Sequence, residues 1–184
     1  LVEGMGELHL DVACSRLATE FNVQVETGRV RIAYRETLLH SLTIEKFRYD
    51  RLNETETKRS FAGLSVEFQP RPLAVPGAHR MDAPSITLSP QAYKDLHGNV
   101  EWAAALEEGF AAACQRGPRH GFPLVGLDIT VVACEADAPG NDTNAQVLRD
   151  AAEALLLHAS KSTEVVLLEP MMNVEVTTPE EHLG

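Results

Sequence analysis

Pro118-Arg119-His120-Gly121-Phe122-Pro123-Leu124-Val125-Gly126-Leu127-Asp128-Ile129-Thr130-Val131-Val132 is the stretch on which the reading of this chain turns. Gly117-Pro118 and Gly121 punctuate the end of a helix, and Pro123 closes a turn. Residues 124–132 then read as a strand, with Leu127, Ile129 and Val131 on one face. The flanking sequence carries a helical period instead. Upstream, Asn99 caps a predicted helix over 100–115, whose buried face is Trp102, Leu106, Phe110 and Ala113. Downstream, Pro139-Gly140-Asn141-Asp142 is a strong turn signal. Thr143 or Asn144 then caps a helix over 145–161 with the stripe Leu148, Ala151, Ala152, Leu155 and Ala159.

Further out the signals are shorter. Leu10, Cys14, Leu17 and Phe21 recur at helical spacing between residues 7 and 21. Val23 and Val25, then Val30, Ile32 and Tyr34, alternate as short strands, so this beginning reads as half of a small α/β domain. Residues 41–60 are polar and charged and read as a connection or an exposed hairpin tip. Leu64, Val66 and Phe68 alternate as a strand, and Pro70, Pro72 and Pro76 force an irregular loop. Ile86 and Leu88 suggest a short strand before Pro90. Residues 165–168 are a strand, Pro170 breaks it, and Val174 and Val176 resume the alternation. Thr178-Pro179-Glu180-Glu181 is a capping box with proline at the first helical position.

The chain has 184 residues, enough for one ordinary domain with pieces of neighbours. It starts at Leu1 without a methionine and is read as part of a longer protein. No apolar run approaches the ~20 residues of a membrane span, and no membrane contact is expected. Cys14, Cys114 and Cys134 are odd in number and far apart, which argues against a disulfide framework or a zinc site. The net charge is −11, and residues 135–184 carry ten acids against two bases. That balance argues against broad nucleic-acid binding, which needs clustered Lys and Arg to neutralise phosphates.

The search for chemistry is mostly negative. There is no GxxxxGK[ST] loop, and Gly4-Met5-Gly6 is a lone GxG of no weight. Seven histidines are scattered without ligand spacing, so no metal site is expected. Cys114 near His120 raises a thiol nucleophile, but Cys114 reads more simply as part of a helix's small-residue face. No catalytic residue is assigned.

Resemblance says more. Gly4-Met5-Gly6-Glu7-Leu8-His9-Leu10, then a helix, then Ala33-Tyr34-Arg35-Glu36-Thr37 resembles the junction of domains III and IV in elongation factor G. Val166-Leu167-Leu168-Glu169-Pro170 through Glu181 is similar to that family's entry into domain V, and Gly117-Pro118 to Leu124 to a domain IV segment. The resemblance implies the end of domain III at 1–28, domain IV at 29–162 and the start of domain V at 163–184. It implies an α+β fold: a two-layer, ribosomal protein S5 domain 2-like domain IV flanked by partial ferredoxin-like α/β domains. It also implies no cofactor in this stretch, with GTP and magnesium held elsewhere in a GTPase parent.

The departures from the family pattern bear on function. Translocating members carry a histidine in the tip loop of domain IV, whereas residues 135–143 here hold Pro139-Gly140 and no histidine. Nor is the family's second tip segment recognisable around His97-Gly98-Asn99. The mitochondrial ribosome-releasing paralogue of the family departs similarly, and it shares a pattern matched by Ala113-Cys114-Gln115-Arg116-Gly117-Pro118. This resemblance implies a monomer that binds the ribosome, both rRNA and ribosomal proteins, and separates its subunits with the ribosome recycling factor. Mitochondrial localisation, with cytoplasmic as the alternative, rests on the same resemblance. Tip residues Asp137, Pro139, Gly140, Asn141 and Asp142, with His97, Gly98 and Asn99, would face RNA or the partner factor. Arg116, Arg119 and His120 are candidate rRNA contacts, against the plainer reading of a solvated turn. The alternatives are a translocating factor with an atypical tip and a stand-alone interaction module without a GTPase.

Overall fold

Alternating apolar residues build the central sheet. In the computed structural model, which describes residues 2–52, 59–72, 83–136, 143–171, 174–175 and 177, the chain is α+β and divides into two compact units. The larger is Tyr34–Leu168; the other joins Leu1–Ala33 with Glu169–Gly184.

The larger unit holds a four-stranded sheet in the order β2-β3-β5-β4. These strands are β2 (Leu42–Leu52), β3 (Arg59–Pro70), β4 (Ser85–Leu88) and β5 (Leu127–Glu135). β3 is antiparallel to both β2 and β5, and β4 is parallel to β5. Ala62, Leu64, Val66 and Phe68 on β3 point into the core, as do Leu127, Ile129 and Val131 on β5; all are buried. The decisive strand starts at Leu127 rather than 124, because Leu124 makes an isolated parallel bridge to Glu36 instead.

Two helices complete the core: α3 (Val100–Gln115) and α4 (Ala145–Ser162). Asn99 Oδ1 accepts from the amides of Glu101 and Trp102, and Asn144 Oδ1 from that of Val147, so each helix starts at a side-chain cap. All five residues of the α4 stripe are buried. On α3, Trp102, Leu106 and Phe110 are buried, but Cys114 takes the place expected for the half-buried Ala113. Phe110 meets Phe68 of the sheet edge-on, with ring centroids 6.5 Å apart. Full burial of such a ring contributes about 1.5–3 kcal/mol. The helices approach closely at Gly109, where a Cβ would lie 2.8 Å from Arg149 Cα.

Two elements correct the sequence reading. Of the stretch 41–60, expected as a connection or an exposed hairpin tip, Leu42–Leu52 is β2, an eleven-residue strand paired with β3, and 53–58 lie outside the described residues. The strand's apolar series Leu42, Ile44, Phe47, Tyr49 breaks step between Ile44 and Phe47, where the ladder has a bulge. Lys46 takes φ 51° there, and its amide donates to Ser65 Oγ at 3.0 Å. The bulge brings Phe47 back to the core face, and a strict two-residue period misses it. The second element is a short helix, α2 (Pro90–Asp95), which the apolar pattern does not reveal. Its local signal is a cap: Ser89 accepts from the amide of Ala92, with proline at the first helical position.

A second, two-stranded sheet pairs β1 (Arg35–Leu38) with β6 (Val165–Leu168), antiparallel. That pairing joins the two ends of the larger unit, because β6 is hydrogen-bonded to the strand that opens it. In the smaller unit α1 (Glu7–Thr19) carries a half-buried stripe of Leu10, Cys14 and Leu17, while Phe21 lies beyond the helix and is exposed. Residues 22–34 form no strand; alternation alone makes none without a partner to take its hydrogen bonds. Val174, Glu175 and Thr177 are likewise outside any strand, and the Thr178 capping box lies outside the described residues.

Gly109→Leu forces α3 and α4 apart. It is expected to cost about 2–3 kcal/mol, read as a lower Tm in thermal unfolding followed by circular dichroism.

Candidate functional site

Glu36 organises one end of the larger unit. It is fully buried on β1. A carboxylate there needs donors, because an unpartnered buried charge costs several kcal/mol. The turn after α3 supplies them. The backbone amides of His120 and Phe122 donate to Oε1 at 2.8 and 3.1 Å, and that of Arg119 donates to Oε2 at 3.3 Å. The strand backbone is held as well: Glu36 N–H donates to Pro123 O, and Val125 N–H donates to Glu36 O. Gly117 makes the approach possible, since a Cβ would lie 2.6 Å from the Glu36 carboxyl carbon and closer still to Phe122 O. Gly121 provides the left-handed step at φ 81°.

The turn therefore points its backbone inward and its side chains outward. Arg116, Arg119 and His120 are exposed, and among the described residues neither arginine has a carboxylate at ion-pair distance. Sequence reasoning names these three side chains but not Glu36 beneath them. The available signal is a charged residue in the short run Tyr34-Arg35-Glu36-Thr37-Leu38.

His97, Gly98 and Asn99 lie at the other end. Asp95 Oδ2 accepts from Cys134 N–H at 3.0 Å, which ties the end of α2 to the last residues of β5. His97 and Gly98 follow in left-handed conformations, at φ 55° and 67°. Asn99 is engaged as the α3 cap, which gives it a structural role. The sixteen residues of α3 separate this turn from Arg116, about 24 Å at 1.5 Å per residue. Thr143 hydroxyl donates to Phe61 O at 2.9 Å, so α4 begins at this same end of the sheet. Asp137, Pro139, Gly140, Asn141 and Asp142 lie outside the described residues.

Burial pushes the Cys114 thiol up to about 12, and burial with the nearby Asp95 charge does the same to Cys134. Neither is a nucleophile near neutral pH. No group of three or more His, Cys, Asp or Glu among the described residues is placed to hold a metal ion. No helix among the described residues is long and apolar enough to cross a membrane.

Residues 1–29 match the family model for Elongation Factor G, domain III. The fold is similar to that of a crystal structure of a protein from Thermus thermophilus, with TM-score 0.57 and 21% identity. The match covers 89% of this chain and 22% of that one. At this identity the likeness is one of fold.

Two outcomes follow from this geometry. Glu36→Ala leaves three inward amides without an acceptor and is expected to cost about 3 kcal/mol or more. Amide hydrogen exchange at residues 119, 120 and 122 should accelerate more than in the core strands. Cys114 and Cys134 should resist maleimide in the native protein and label once it is unfolded. Both thiols hold their proton more tightly in the folded state, so their contribution to stability is present below pH 9.0 and is lost as pH rises toward about 12. Denaturation midpoints measured across that range check the sign.

Proposed function

We propose that this chain is the ribosome-binding part of an elongation factor G-like translation GTPase, comprising the end of domain III, domain IV and the start of domain V. The observation that carries the reading is the domain III match at residues 1–29, followed by an α+β unit whose fold resembles a solved structure over 89% of the chain. In this reading the chain is a lever and a contact surface. Buried helices on a four-stranded sheet make the larger unit stiff, and its two ends carry the contacts. GTP and magnesium belong to the parent protein.

The finer proposal is ribosome disassembly with the ribosome recycling factor, in mitochondria. Support comes from the tip segment 135–143, which holds Pro139-Gly140 and no histidine, as the resemblance to the releasing paralogue implies. Asp137, Asn141 and Asp142, together with His97 and Gly98, would then face the partner factor; carboxylates suit a basic protein surface better than RNA phosphates. Arg116, Arg119 and His120 would meet rRNA at the opposite end.

The test uses the full-length protein with GTP and purified ribosomes. Subunit splitting with the recycling factor and one-codon movement of mRNA are followed in parallel. Splitting without movement is expected. Movement would mean that a histidine-free tip translocates and would sink the recycling reading.

A further inference from the structure

The end of the unit that carries His97 also has a concave surface that the proposed function leaves unused. Leu88, Pro90, Tyr93, Val100, Ala103 and Ala104 enclose an open groove of about 450 Å³ between α2 and the first turns of α3. Its shape follows from sequence. Ser89 anchors the passage from β4 to α2, donating its amide to Val131 O and its hydroxyl to Val132 O. Ala103 and Ala104 keep the α3 side low. Tyr93 forms a wall, fixed by its hydroxyl donating to Gly98 O at 3.1 Å. Val100 leaves 70% of its surface exposed at the rim, and Tyr93 40%. An exposed valine beside a tyrosine and a trough of small residues is apolar area that water covers poorly.

The charges around the groove indicate what covers it. Glu107 lines it, and Glu101 is exposed next to Val100. Among the described residues, neither carboxylate has a cation at ion-pair distance. Asp95 is engaged by Gln91 and the Cys134 amide. Lys94 on α2 and His97 are basic side chains on this side, in a chain of net charge −11. The trough's own lining carries one charged side chain, Glu107, with Lys94 and His97 outside that lining; a carboxylate in an apolar trough repels phosphate and attracts a cation carried beside an aliphatic group.

We propose that this groove docks an aliphatic side chain carried on a Lys/Arg-rich segment of a ribosomal protein. The partner class rests on the ribosome reading; the apolar trough and its lining carboxylate do not. Val100 supplies the apolar contact, and Glu107 pairs with a flanking base.

The experiment measures binding of the full-length protein to purified ribosomal subunits. Glu107→Lys and Val100→Ser should each weaken it about five- to ten-fold, as loss of one contact at a small interface does. Glu153→Lys, a change at an exposed acid on α4, is the control and should leave it unchanged. The sign at Glu107 is diagnostic. If the groove faced rRNA, Glu107→Lys would tighten binding, and that result overturns the proposal, as does no change. A photoreactive benzophenone side chain at position 100 should crosslink to a basic ribosomal protein; a crosslink to rRNA alone overturns it. Wild-type protein that fails to bind either subunit defeats the ribosome reading and this proposal together. Wild-type binding that is indifferent to both variants defeats the proposal alone. Val100 is mostly exposed, so unchanged thermal unfolding of Val100→Ser separates lost contact from lost fold.

Discussion

A buried carboxylate needs either a countercharge or several hydrogen-bond donors, and in this chain Glu36 is met by backbone. Three amides of one turn converge on it, and the strand that carries it is hydrogen-bonded on both edges, to β6 on one side and to residues 123–125 on the other. The consequence reaches past the turn. Leu124 N–H donates to Cys114 O, so the end of α3 is fixed to the segment that leads into β5. Strand β6, the passage into β5 and the end of one core helix are therefore joined around strand β1, which carries Glu36. Such an arrangement ties the turn to the strand, because the buried carboxylate has its acceptor capacity met only when the turn's amides reach it.

This joint also shapes the electrostatics. Because the carboxylate draws the amides of residues 119, 120 and 122 inward, the side chains of Arg119 and His120 turn outward beside Arg116. An acidic chain thereby presents a basic corner at one end. The other end is different in kind: a left-handed turn at His97-Gly98 and an apolar trough lined by one exposed glutamate, Glu107. The sixteen residues of α3 lie between these two ends.

The ladder defects show where sequence patterns lose their force. The two long core helices are legible almost to the residue, since Asn99 and Asn144 cap them and their apolar stripes keep a 3.6-residue period. Strand β5 is legible through Leu127, Ile129 and Val131. Strand β2 is not, because charged residues alternate along it and its period is broken at Lys46. The bulge that breaks it depends on Ser65, a residue on the neighbouring strand. At the site, the basic side chains of the 116–120 turn can be named from sequence. Their shared orientation cannot, because it depends on an acid about eighty residues upstream.

What the sequence determined by itself is whatever its neighbours along the chain can enforce: caps, stripes, proline and glycine breaks, the net charge, and the absence of a phosphate-binding loop. What only the tertiary structure decided is whatever needs a partner from afar. Glu36 under the turn, β6 beside β1, Phe68 against Phe110 and the trough between α2 and α3 are all of this kind. The physical reason is the same in each case. A buried polar group or a packed ring is stabilised by atoms close in space, and local sequence carries no record of which distant residue will provide them.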